Sequence, residues 1–456
     1  MASNDLSQRL NAPYLVGTLL AVNALPDSTI LIDGAECSMT KAEFIYGNHD
    51  LASTLLDSSG AHLHRLEHSY KDFADLVKDR EPDIGAVVER LLARPSCKVL
   101  FLSPRPCCRI LAVDYERILA ASSGRTKPVL PLPSDALSGD WLDGYADAME
   151  ALASSVDLKG ARPKKDKVAV VGYLMDRSEG DHRAGLSELR RLLAALGLDL
   201  VSVWLGNAPY ARLSDVKDAG TILSLPYGRK AARTLASRTG AKLVELDLPF
   251  GLLPTETWLR KVGQACGRPK KAVDALVDAE LAPVLKALEW VVPQAMLHKR
   301  VALSGDPYLY EGLASLAEDL GWEVAAGALM CLPDKRPKDL ADRFPNQPAP
   351  LCEPTGAAWN AALAGAGKVD FIVGNSFYMA DGCGIPGVEL GFPSYRHHAL
   401  TSQPFLGFAG ALKFVERVLN TGLRKDLGGY GVIMRYPVFE GAGPADPSTP
   451  PSRSYQ

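Results

Sequence analysis

The 456-residue sequence lacks a long apolar run, a basic-then-apolar leader at MASNDLSQRL, and a phosphate-binding loop. A membrane helix needs roughly 18 or more consecutive apolar residues, so no membrane partner is expected. The missing leader makes the cytoplasm the expected compartment. The nearest approach to a P-loop, GAGKVD at Gly365–Asp370, lacks the upstream glycine and the Ser/Thr of that motif. Any ATP hydrolysis tied to this chain therefore belongs to another protein. An excess of one charge is also missing. The 50 Lys and Arg stand against 53 Asp and Glu, a net charge of -3, so no nucleic-acid partner is expected. Cysteine is sparse, with eight residues and no tight repeating spacing. That excludes a disulfide scaffold and a CxxC-type zinc site. Any metal site must be assembled from distant positions, or from two chains.

What is present is an ordinary soluble composition, 47% apolar and 23% charged, on a chain too long for one core. Strand-like runs alternate with amphipathic helical runs in three blocks, the pattern of parallel α/β units. The first block has TILID at Thr29–Asp33 and KVLFLS at Lys98–Ser103. A charged stretch, ARPKKDK, reads as a solvated linker. The second block opens with VAVVGYL at Val168–Leu174 and continues through LVSVWLG, TILSL and LVELDLPFG, a doubly wound pattern. A helix-rich segment bridges to the third block, which has RVALSGD, EVAAGAL and VDFIVGNS. The expected fold is α/β, with an N-terminal Rossmann-like domain over 1–162 that carries Cys37 and Cys107. A middle domain over 163–296 and a C-terminal domain over 297–440 follow, then a Pro- and Ser-rich disordered tail over 441–456.

The richest stretch is GIPGVELGFPSYRHHALTSQPFLGFAGALKFVERVLN, Gly384–Asn420. It joins a Pro-bounded apolar run, the pair His397 and His398, and a turn whose Gly407 and Gly410 suit close backbone approach or helix packing. The stretch resembles the C-terminal signature of the nitrogenase component 1 family of oxidoreductases. That family includes nitrogenase subunits, cofactor scaffolds and light-independent tetrapyrrole reductases. Gly206-Asn207, LPFGLLPTETWL, SGDP at Ser304–Pro307 and GNS at Gly374–Ser376 extend the resemblance over most of residues 15–425. It implies three Rossmann-like domains around a central cleft, and a dimeric iron–sulfur ATPase that docks and delivers electrons.

Cys37 follows a strand and a Gly-containing turn. Cys107 and Cys108 follow VLFLSPRP, so all three sit at strand carboxyl ends, where a thiolate is well placed to ligate iron. The resemblance makes Cys37 and Cys107 ligands of an iron–sulfur cluster, Cys107 because Asp114 stands seven residues on, with Cys108 the spare. It also implies a further ligand near Asn11–Pro13, where this chain has no cysteine. Two thiolates do not complete a [4Fe-4S] site. The rest would come from a second copy across a dimer axis, from a related partner subunit, or from an oxygen such as that of Asp33 or Asp50. His397 matches the histidine that holds the large cofactor of molybdenum nitrogenase, but the matching cysteine position falls near Ser224. The cleft therefore suits an organic substrate, near His397 and His398, or a cluster in transit.

Cys266, Cys331 and Cys352 read as structural residues without partners. His62, His64 and His68 read as a solvated loop, and His49-Asp50 as acid–base or capping residues. Three readings stay open: a reductase component with an interfacial [4Fe-4S] cluster in a homodimer or heterodimer, a scaffold for cluster assembly or transfer, and a non-redox binding protein.

Overall fold

A computed structural model describes residues 9–57, 64–69, 79–106, 108, 113–121, 126–133, 138–380 and 384–422. The tail over 441–456, Cys107, Cys383 and His62 lie outside these. Among the described residues no helix is long and apolar enough to cross a membrane.

Three sheets form, and every strand pairing in them is parallel. The first holds β1 (Ser28–Asp33), β2 (Leu66–His68), β3 (Val99–Pro104) and β4 (Val129–Pro131) in the order β2-β1-β3-β4. The second holds β5 (Lys164–Val171), β6 (Asp199–Val203), β7 (Ala219–Ser224) and β8 (Lys242–Glu245) in the order β6-β5-β7-β8. The third holds β9 (Arg300–Gly305), β10 (Glu323–Leu329), β11 (Leu351–Cys352), β12 (Phe371–Gly374) and β13 (Gly387–Glu389) in the order β11-β10-β9-β12-β13. Central parallel strands are covered on both faces, so they read as unbroken apolar runs. STILID and VLFLSP are buried at every position.

The charged run before the second block is only partly a linker. Lys164 already pairs with Ala219 as the first residue of β5, and Lys167 donates to Asp218 at 3.2 Å. The outer half of that strand is exposed, so lysines there keep their heads in water while the backbone joins the sheet. The helix Trp141–Ser155 packs against both Tyr14–Asn23 and Arg229–Thr239. The Trp141 indole N–H donates to the Met330 carbonyl at 2.9 Å, so this one helix touches all three blocks.

The C-terminal helix Gly407–Gly422 packs on Gly180–Ala195, Leu252–Ala265 and Lys270–Val291. Its glycines are used for close approach. Gly407 has φ +74°, and its N–H donates to the Pro249 carbonyl at 2.8 Å. A Cβ on Gly410 would lie 2.3 Å from the Phe405 carbonyl carbon. Because backbone must shift to admit that methyl, Gly410→Ala is expected to cost about 1–3 kcal/mol of stability. Urea denaturation reads this as a lowered midpoint, and an unchanged midpoint contradicts the packing described.

Candidate functional site

In open parallel sheets, ligands gather outside the strand carboxyl ends where the strand order reverses. Each sheet here has one such point: between β1 and β3, between β5 and β7, and between β9 and β12. Chemistry-bearing residues follow these strands in every case. Cys37 follows β1, Cys108 follows β3, Asp176–His182 follow β5, Tyr227 follows β7, Asp306 follows β9, and Asn375 follows β12.

The segment after β5, Asp176–His182 (DRSEGDH), joins the three blocks. Toward the first block, the Ser178 N–H donates to Asp50 Oδ2 at 3.0 Å, and Asn23 donates to the same oxygen at 2.8 Å. The Leu51 N–H donates to Glu179 at 3.2 Å. Toward the third block, Glu179 also accepts from the Ala399 N–H and pairs with His398 Nδ1, both at 2.8 Å. Arg177 donates to the His397 carbonyl at 2.7 Å and pairs with Asp181. His49 closes the circuit. Its Nδ1 accepts from the Ser394 N–H at 2.9 Å, which leaves the Nε2 hydrogen facing Asp176 at 3.5 Å.

His182 is enclosed by this arrangement. Its Nε2 pairs with Asp176, and its Nδ1 meets the Tyr173 hydroxyl at 2.8 Å. Burial favours the neutral ring, but Asp176 and Asp181 overcome it and raise the His182 pKa. Burial likewise favours a protonated Asp176, yet His182 and His49 hold that carboxyl well below the usual range. Both shifts favour a charged His182–Asp176 pair at the core of the junction.

Beside the pair lies a small cavity of about 30 Å³, walled by Leu174, Leu248, Leu309 and Leu406 and faced by Asp176 and His182. Tyr227 also lines it and donates to Asp306 Oδ1 at 2.8 Å. That oxygen caps the helix Pro307–Asp319 as well, accepting from Tyr308 and Leu309 N–H. Asp306 Oδ2 is buried without a hydrogen-bond partner, and burial pushes this carboxyl up to about 6. The second and third switch points thus border one space, faced by His182 and Asp176, with Asp306 one hydrogen bond behind Tyr227.

Of the histidines singled out in the sequence, both reach the junction but neither lines the cavity. His397 contributes its carbonyl to Arg177, while burial, Arg417 and Arg177 push its ring down to about 4. His398 is 24% exposed and is tied to Glu179. His64 accepts from the Asp57 N–H at 2.8 Å, a local loop contact.

Cys37 lies in a single 3₁₀ turn, Glu36–Ser38, directly after β1. Cys107 itself is outside the described residues, but the strands that lead to the two thiols are in register, Asp33 opposite Pro104. Cys108 is buried, with its N–H bonded to the Arg105 carbonyl at 2.9 Å. Two oxygen donors considered from sequence are already engaged. Asp33 pairs with Arg80, Ser69 and Tyr115, and Asp50 accepts from Asn23, Ser178 and Ala52. Among the described residues, no three His, Cys, Asp or Glu are grouped to hold a metal ion.

Sequence reasoning passed over Asp176–His182 and Asp306. The usable signal was a dense polar run at the carboxyl end of VAVVGYL, where a buried strand meets a helix. It also treated Cys331 and Cys352 as unrelated, whereas the structure sets their side chains against each other. The pairing of β10 with β11 brings them together, and no local spacing announces it.

This is a three-sheet, parallel α/β protein with its site at the meeting of strand ends. The family model for nitrogenase component 1 type oxidoreductases matches residues 14–423, and the chain belongs to that family. It is 25% identical over 451 residues to the nitrogenase vanadium-iron protein beta chain of Trichormus variabilis, covering 89% of this chain and 91% of that one. A molybdenum-iron protein beta chain of Methanococcus maripaludis is 21% identical, covering 90% and 93%. Subunit N of the light-independent protochlorophyllide reductase of a Bradyrhizobium species is 29% identical over 266 residues, 56% of this chain and 58% of that one. A solved structure of nitrogenase Cp1 at pH 6.5 has a TM-score of 0.76 over 92% of this chain and 93% of that one. At 16% identity it shows the fold alone.

The depressed His397 pKa sets a pH dependence. An unfolded His397 takes up a proton near 6.5, the folded one near 4, so the unfolded state binds more protons in between. Stability therefore falls as pH drops from about 6.5 toward about 4. His397→Gln is expected to flatten that fall in denaturation curves taken across this window. An unaltered slope contradicts the assignment.

Proposed function

We propose that this chain is a nitrogenase-like reductase component of the cytoplasm. It takes electrons from an ATP-hydrolysing iron–sulfur partner by way of a [4Fe-4S] cluster and reduces an organic substrate. One observation carries the reading: the second and third switch points enclose a cavity faced by the buried His182–Asp176 pair and by Tyr227, whose hydroxyl is bonded to Asp306 behind it.

Thiols suit iron, and the strands that Cys37 and Cys107 follow in sequence pair in register, so these two are the residues that would hold the cluster. A second copy of the chain or a related subunit would complete the ligand set across a dimer interface. When bound, such a cluster stores and passes single electrons. The chain's own residues do the proton work. His182, whose proton affinity is raised by Asp176 and Asp181 against burial, faces the cavity, and Asp306, which burial pushes up to about 6, lies behind Tyr227. Reducing an unsaturated bond takes two electrons and two protons, and these acids are placed to supply the protons. His398, fixed through Nδ1 by Glu179 and partly exposed, is the second histidine of the site at the junction. His397 stays neutral at physiological pH and serves as an acceptor.

The same thiols would suit a scaffold that hands a cluster on, and turnover separates the two roles. Anaerobically reconstituted protein is expected to bind iron and, when reduced, to give the paramagnetic signal of a [4Fe-4S] cluster. Cys37→Ala should lose most of both. Iron content equal to wild type in Cys37→Ala overturns the ligand assignment. Release of the cluster to an acceptor protein with no substrate reduced favours the scaffold.

His182→Gln is expected to retain iron while lowering turnover by roughly 10²-fold or more, the usual weight of a positioned proton donor. Full turnover in that variant removes His182 from the chemistry.

A further inference from the structure

Cys331 and Cys352 meet at the edge of the third sheet. β10 ends at Leu329, which pairs in register with Cys352 on β11, and the Glu353 N–H donates to the Leu329 carbonyl at 2.9 Å. Cys331 follows two residues later. It is fully buried, whereas Cys352 is half-buried. The two thiols lie against each other. That contact, opposed by burial and helped by Arg336, brings Cys352 down to about 7, while Cys331 is pushed upward. Cys352 also faces Glu353. Cys331 faces Asp140, Asp306, Tyr308 and Tyr378.

A reactive thiol needs thiolate character and access, and a resolving thiol needs only to lie within reach. The two cysteines divide these properties. Cys97 and Cys266 make the contrast, both buried and both pushed upward by burial.

We propose that Cys331 and Cys352 form a redox-active dithiol, in which Cys352 attacks a hydroperoxide and Cys331 resolves the product to a reversible disulfide. In the first step the Cys352 thiolate sulfur bonds to the terminal peroxide oxygen and the O–O bond breaks. This leaves a sulfenic acid, and the departing oxide is protonated to an alcohol, or to water from hydrogen peroxide. In the second step the Cys331 sulfur bonds to the Cys352 sulfur, the S–O bond breaks, and hydroxide leaves as water with the Cys331 proton. The dithiol loses two electrons and the peroxide gains them. Neither cysteine lines the cavity described above, and the inference does not depend on the reductase reading.

The test uses the full chain, treated with stoichiometric hydrogen peroxide, quenched with a maleimide and mapped by mass spectrometry. A peptide linking Cys331 to Cys352 is expected, reversed by dithiothreitol, with Cys97 and Cys266 recovered as maleimide adducts. Cys331→Ser and Cys331→Ala should instead trap a dimedone-reactive sulfenic acid on Cys352. In the untreated protein, Cys352 should be alkylated at pH 7 on the order of 10-fold faster than Cys266. Absence of the linked peptide, or equal oxidation of Cys97 and Cys266, overturns the proposal. Retention of the linked peptide only in unfolded protein, judged by circular dichroism of the same sample, overturns it as well.

Discussion

Everything at this site depends on how the carboxylates of Asp176–His182 are satisfied. A buried carboxylate is costly unless hydrogen-bonded or paired, and here Arg177 and His182 supply partners within the segment while others come from the first and third blocks. Asp50 and Glu179 accept from backbone N–H groups across block boundaries, and Asp176 lies between His49 and His182. Moving one block away from another would strand several of these groups at once. The network therefore fixes the relative placement of the three sheets, and in doing so it shapes the cavity at their strand ends.

The same electrostatics explain why two histidines near each other hold protons so differently. His182 is surrounded by carboxylates and its pKa rises against the cost of burial. His397 faces Arg417 and Arg177, so burial and like charge act together and its pKa falls. One ring is a proton donor in waiting and the other an acceptor, on one fold at one pH.

Much of the architecture was legible in the sequence, for a physical reason. Central parallel strands such as STILID and VLFLSP are buried at every position, so the apolar runs at their middles stand out. β2, β4, β11 and β13 do not stand out. Each is an edge strand of three residues or fewer, paired on one side and too short for a pattern. Gly407 and Gly410 were readable because a glycine-bearing turn before an apolar helix has few uses besides close packing. The site was less legible. His397 and His398 drew notice as a pair, yet His182 holds the cavity-facing position. Its importance arises from Asp176 beside it and from partners at 49–51 and 394–399 that only the fold brings together. Cys331 and Cys352 were separated by the same kind of distance.

The site stands or falls on whether Asp176 and Asp181 keep His182 protonated in the buried, three-way junction. Nitrogen NMR of protein labelled selectively with ¹⁵N-histidine, with the His182 signal assigned by its loss in His182→Gln, reads that charge directly. The account predicts that both ring nitrogens of His182 remain protonated at pH 7, above the ordinary histidine midpoint of 6.5. A neutral His182 ring at pH 7 would contradict it.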